Sequence, residues 1–175
     1  MSLKFQIKVP GTSANIGVGY DCLGVALDYY LEIEVTESET IEFVENGKEF
    51  SIPLDENLMF EAANFTQKKL NKTIPNYRVN IIRNDIPIAR GLGSSSSAIV
   101  AGIMIVNRFL NNKLDRDSIA KLAVEMEGHP DNVVPAIFGG MVLASHDKEK
   151  LSYALLPNIE NLFFYVMIPN FRLST

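Results

Sequence analysis

In the first stretch of the chain, Phe5-Gln6-Ile7-Lys8-Val9, every second side chain is apolar until Pro10 and Gly11 break the run. That period of two predicts a half-buried strand ending in a turn. Residues 29–37, 41–45 and 77–83 alternate in the same way and predict three more strands. Asn46-Gly47 predicts a hairpin turn into residues 49–52. The period then changes. Residues 57–70 carry apolar side chains at helical spacing, with Asn57 placed as an N-cap. A helix running to about residue 110 is predicted from the nine consecutive apolar residues 98–106. Asp115 or Asp117 can cap a further helix through Glu127, which Gly128 ends. Residues 139–145 and 151–156 read as strands, and 162–168 as a buried strand stopping at Pro169. Strands first, then helices mixed with strands, favour an α+β fold with helices stacked on one face of a sheet.

The chain has 175 residues, enough for one domain with a substantial core, or for one domain and the start of another. A net charge of −5 gives no basic footprint for nucleic acid or for an anionic membrane. The single Cys22 excludes an intrachain disulfide and a multi-thiolate metal site. The N-terminus lacks the apolar run of a signal peptide, and no run approaches the roughly 18 residues that span a bilayer. A cytoplasmic location is expected.

Three stretches carry candidate chemistry. In "PIARGLGSSSSA" (residues 87–98) two glycines and four serines run directly into the most apolar helix. A helix N-terminus presents unpaired N–H groups and the positive end of its dipole, and so attracts anions. Gly91 and Gly93 let the backbone approach a phosphate, while Ser94 to Ser97 add hydroxyls, one of which can ligate Mg²⁺. The competing reading is a plain Gly/Ser linker before a core helix, and no Walker-type lysine follows the glycines. In "PGTSANIGVGYDCLGVALD" (residues 10–28), Asn15 offers an amide and Asp21 a carboxylate suited to a substrate ammonium group. The alternative is a turn-rich loop with Asp21 as a cap. In "EMEGHPDNVVPAIFGG" (residues 125–140), Glu125, Glu127, His129, Asp131 and Asn132 fall within eight positions. A helix end, Pro130 and an Asp131 cap on the next helix would explain much of that cluster without function. One His, two Glu and no nearby cysteine do not make a normal zinc set.

Taken in order, the three motifs resemble those of the GHMP small-molecule kinases, most closely the branch acting on L-homoserine. The resemblance spans nearly the whole chain and implies a two-layer α+β N-terminal domain, ribosomal protein S5 domain 2-like, with a left-handed βαβ crossover. It implies ATP and Mg²⁺ as cofactors and L-homoserine as the small-molecule substrate, phosphorylated on its side-chain hydroxyl. Pro87, Ile88, Ala89, Arg90, Gly91, Leu92, Gly93, Ser94, Ser95, Ser96, Ser97 and Ala98 would wrap the ATP phosphates. Ser95 and Glu127 would hold Mg²⁺, with Glu125 second. Asn15 and Asp21 would hold the amino end of the substrate, and His129, Asp131 and Asn132 its hydroxyl side. Asn57 matches a position near the adenine. Thr175, in "RLST", looks like the start of a motif whose later arginine grips the substrate carboxylate. On this reading residues 1–160 form the ATP-binding domain. Residues 161–175 open a C-terminal ferredoxin-like domain that the chain lacks. Family members commonly form homodimers. Another GHMP kinase, a non-catalytic nucleotide-binding module and a purely structural domain are the alternatives.

Overall fold

The computed structural model describes residues 3–147, 150–157 and 164–168. Two long antiparallel strands, β1 (Lys4–Ile16) and β2 (Gly19–Glu37), lead the chain. The short strands β3 (Glu42–Glu45) and β4 (Lys48–Glu49) follow, then a 3₁₀ turn at Leu54–Glu56, helix α1 (Leu58–Leu70) and strand β5 (Tyr77–Asn84). Helices α2 (Ser94–Phe109), α3 (Arg116–Glu127) and α4 (Pro130–Phe138) come next, and β6 (Met141–Asp147) and β7 (Lys150–Leu155) close the sheet. Strand order is β4-β3-β5-β2-β6-β7, with β1 paired to β2. β3 and β5 form a parallel pair, and α1 lies in the connection between them.

The alternation seen in the sequence sorts the two faces of the sheet. Ile7, Val9, Leu31, Ile33, Val35, Tyr77, Val79 and Ile81 are buried against the helices. Across the open face run ion pairs of Lys4 with Glu34, Lys8 with Glu32 and Arg83 with Glu32. The helical layer centres on α2. Its Val100, Ile103, Ile105 and Val106 are wholly buried, each contributing roughly 1.5–3 kcal/mol of apolar burial. The apolar body of α2 therefore fixes its N-terminal tip in space. Local signals set the helix ends. Asn57 Oδ1 accepts from Met59 and Phe60 N–H, and Asp115, rather than Asp117, accepts from Ser118 N–H. Gly128, at φ 89°, ends α3.

The structure differs from the sequence reading in four places. Residues 10–28 are not a loop: β1 and β2 continue through them, with register shifts at Pro10/Thr12 and Ala14/Ile16. Small residues let this twisted hairpin pass close under the helices, a role that local composition does not distinguish from turn formation. The second arm of the β3–β4 hairpin is limited to Lys48–Glu49. His129, not Asp131, is the N-cap of α4; Pro130 takes the first helical position, and Asp131 falls in the first turn. Finally, residues 164–168 form no strand and are exposed, Tyr165 at 95% and Met167 at 94%. An apolar run becomes a buried strand only where a sheet edge receives it. Residues 162 and 163, like Thr175, lie outside the described residues.

Candidate functional site

The loop from Pro87 to Gly93 enters α2 through a left-handed N-cap, Gly93, with φ 69° and ψ 26° and no side-chain cap. The first N–H groups of a 16-residue helix are thus not satisfied by a capping side chain. Ala89 (φ 56°), Gly91 (φ 69°) and Gly93 alternate left-handed conformations with the residues between them. Such alternation turns successive N–H groups inward and makes an anion-binding concavity. Gly91 and Ser95 are exposed while Leu92, Ser96 and Ser97 are buried, so an open tip stands on a fixed base. Ile88 is also exposed; Pro87, Arg90, Ser94 and Ala98 are half-buried, and Arg90 Nη1 donates to the Ala89 carbonyl. Two surface clefts, of about 700 and 380 Å³, lie away from this tip, beside β3 and beside α1. A phosphate needs inward-turned N–H groups more than an enclosed cavity, so the open tip remains the better anion site.

Glu127, the last residue of α3, meets the tip. Ser96 Oγ donates to its Oε1 at 2.8 Å, and Ser95 Oγ lies 3.4 Å from its Oε2. Glu125 turns away to pair with Lys69 on α1. One carboxylate with two hydroxyls is a hard-oxygen donor set beside an anion site. Among the described residues no three His, Cys, Asp or Glu side chains gather as a metal cage. That inventory fits Mg²⁺, which is usually held by one or two carboxylates together with substrate phosphates.

The hairpin end contributes a second pair. Asn15 (φ 58°) and Asp21 (φ 54°) are exposed, and Asn15 Oδ1 accepts from the Asp21 N–H at 2.9 Å. Facing them is the start of α4, where His129 is exposed, Asn132 is half-buried and Asp131 is only 4% exposed. Burial first, then the Asp21 charge, raises the Asp131 pKa above the ordinary aspartate value, while His129 opposes the rise. Gly24 makes this approach possible: a Cβ there would lie 1.7 Å from the Asp131 carbonyl oxygen. Asn57 stands apart at the head of α1, 3% exposed; its Oδ1 caps the helix, and its Nδ2 has no partner.

Thr12, which sequence reasoning did not single out, is wholly buried between these groups and donates to Asn132 Oδ1 at 2.9 Å. Ser97 Oγ, donating to the Pro10 carbonyl, ties α2 to the same strand. Thr12 lies within a stretch that the sequence marks out, but its partner is 120 residues away, so no local signal names it.

Residues 57–140 match the family model of the GHMP kinases N terminal domain. Homoserine kinase of Clostridium novyi is 45% identical over 171 residues, covering 97% of this chain and 57% of the relative. The chain thus spans little more than half the length of the curated relatives it matches. A solved structure from Listeria monocytogenes superposes with a TM-score of 0.76 at 32% identity, over 93% of this chain and 61% of that one. Homoserine kinase from Cytophaga hutchinsonii superposes with a TM-score of 0.74 at 26% identity, over 90% and 53%. No helix among the described residues is long and apolar enough to cross a membrane. The chain carries the N-terminal domain of the GHMP kinases.

Proposed function

We propose that this domain serves the ATP-dependent phosphorylation of the L-homoserine side-chain hydroxyl, giving O-phospho-L-homoserine. One observation carries the reading: the uncapped α2 tip, with Ser95, Ser96 and Glu127 on it, is tied through Thr12 to a carboxylate- and amide-bearing site on α4. One end suits polyphosphate and the other an amino-acid substrate. In the transfer, the homoserine hydroxyl oxygen forms a bond to the γ-phosphorus as the bridging β–γ P–O bond breaks. ADP leaves, and the hydroxyl proton passes to the transferred phosphoryl group. Such chemistry asks the protein mainly for alignment and charge neutralisation.

The chain's own residues divide that work. Backbone N–H groups of residues 91–96 bind the phosphates, while the Ser97 N–H is taken by the Gly93 carbonyl. Ser95 and Glu127 would hold Mg²⁺, which when bound neutralises phosphate charge. Asp21 and Asp131 receive the substrate ammonium; a cation between them would offset the cost of burying Asp131. Asn15, His129 and Asn132 orient the substrate backbone and hydroxyl. Asn57, whose buried Nδ2 has no partner, would lie near the adenine. The same reading assigns residues 1–160 to the ATP-binding domain and 161–175 to the lead into a second domain.

Phosphate-31 spectra that follow transfer from Mg²⁺-ATP test this, with L-homoserine and mevalonate offered in parallel to the protein carrying this chain. The reading requires O-phosphohomoserine as the product and a turnover at least about 100-fold lower in Ser95→Ala. Preferred phosphorylation of mevalonate, or an unaffected Ser95→Ala enzyme, would overturn the substrate or the metal assignment respectively.

A further inference from the structure

Thr12 touches both halves of the site. Its backbone N–H donates to the Leu92 carbonyl at 3.1 Å, joining β1 to the loop. A Cβ on Gly93 would lie 2.1 Å from Thr12 Oγ1, so the loop corner rests on the threonine side chain itself. The same hydroxyl donates to Asn132 Oδ1. Asn132 Nδ2 lies 3.4 Å from Asp131 Oδ1.

An asparagine amide can turn end for end, exchanging a donor for an acceptor. Here the Asp131 carboxylate selects one orientation, and the Thr12 hydroxyl, able to donate or accept, answers it by donating. The Thr12 proton is matched by Oδ1, and an ionised Asp131 oxygen accepts only from Nδ2. With the amide reversed, Oδ1 would face a carboxylate.

We propose that Thr12 is a positioning residue, whose hydroxyl holds the Asn132 amide in place while its backbone and side chain seat the Leu92–Gly93 corner. The phosphate-binding loop and the start of α4 then move as one unit. Its catalytic consequence rests on the phosphotransfer reading, since a misplacement of about 1 Å between reacting groups costs on the order of 100-fold in rate. The structural claim stands without it.

The experiment uses the ¹⁵N-labelled protein carrying this chain as wild type, as Thr12→Val, which keeps the branched shape, and as Thr12→Ser, which keeps the hydroxyl. Thr12→Ala replaces the valine variant should that not fold. The Asn132 side-chain NH₂ pair and the backbone N–H signals of residues 91–97 are followed while Mg²⁺ and a non-hydrolysable ATP analogue are added. In wild type and Thr12→Ser, the Asn132 pair moves together with the loop signals. In Thr12→Val, the pair is displaced before any nucleotide is added and no longer follows the titration. An Asn132 pair that behaves identically in Thr12→Val and wild type overturns the proposal, as does Thr12→Ser failing to restore it. Wild-type loop signals that ignore the nucleotide count against the phosphotransfer reading alone. The Asn132 displacement in nucleotide-free Thr12→Val, and its absence in Thr12→Ser, then still decides the role of Thr12.

Discussion

Gly24→Ala tests the close approach of β2 to α4, on which the geometry of the site depends. The added Cβ would lie 1.7 Å from the Asp131 carbonyl oxygen, 2.9 Å from the Asp131 carbonyl carbon and 3.0 Å from Pro135 Cγ. Ordinary contact begins at 3.4 Å, so the oxygen must retreat by 3.4 − 1.7 = 1.7 Å. Two of the three obstructing atoms are backbone, and Gly24 is held between Ala14 on β1 and Val142 on β6. Neither side can yield by rotating a side chain. Forced insertion into a packed interior costs about 1–3 kcal/mol, and a backbone clash this deep belongs at the upper end. Replacing glycine within a strand works in the opposite direction, stabilising by roughly 0.5–1 kcal/mol through lost freedom of the unfolded chain. The net expectation is a loss of about 2 kcal/mol, or a melting temperature lower by roughly 4–8 °C. Urea unfolding measures the free energy, and ¹H–¹⁵N spectra of the folded variant should show displacement concentrated at residues 129–133 and Thr12. The two terms have opposite signs, so the direction alone is decisive. A Gly24→Ala chain as stable as wild type or more so, with unmoved α4 signals, would refute the close approach.

Tyr77 is 1% exposed, packs edge-on to Phe43 and tilted on Phe109, and buries a hydroxyl that has no partner. Burial pushes its phenol far above the usual tyrosine range. Tyr77→Phe keeps the ring and removes the orphan, so stability should rise by about 1 kcal/mol in urea unfolding; a comparable loss would mean that the hydroxyl is bonded. Asp131 has a raised native pKa, so the folded chain holds this proton more tightly than the unfolded chain does. Its contribution to stability is therefore greatest at low pH and declines as pH rises from the ordinary aspartate value to the raised native one. Asp131→Asn should remove that decline, gaining on wild type across this window and holding the gain above it. Parallel stability curves from roughly pH 3 to 7 would contradict the assignment.

Much of the fold was legible because helices carry their own punctuation. Asn57 before α1, Asp115 before α3 and Gly128 after it act on N–H and C=O groups within a few residues, and those interactions can be read along the chain. The hairpin over residues 10–28 was not legible. Its glycines read as turn formers, and only the Leu92 carbonyl against Gly11 and the Asp131 carbonyl against Gly24 show why the strands would contain those two. The apolar run at 164–168 was read as a buried strand, yet it is exposed, since alternation states what a segment can bury and not whether a sheet edge receives it. On paper the resemblance put Glu127 ahead of Glu125, and the local sequence did not distinguish them. They diverge because one faces Lys69 on α1 and the other faces the serines at the head of α2.

The sequence by itself determined the periods, the caps and the inventory of chemical groups: a serine-rich tip on an apolar helix, and carboxylates and amides in two further clusters. Those follow from interactions that reach one helical turn or one hairpin. Tertiary structure decided which groups meet, and it brought in Thr12, whose hydroxyl joins residues 120 positions apart. Hydrogen bonds act over about 3 Å of space whatever the distance along the chain, so only the packing of α2 and α4 on the β1–β2 hairpin could bring those atoms together.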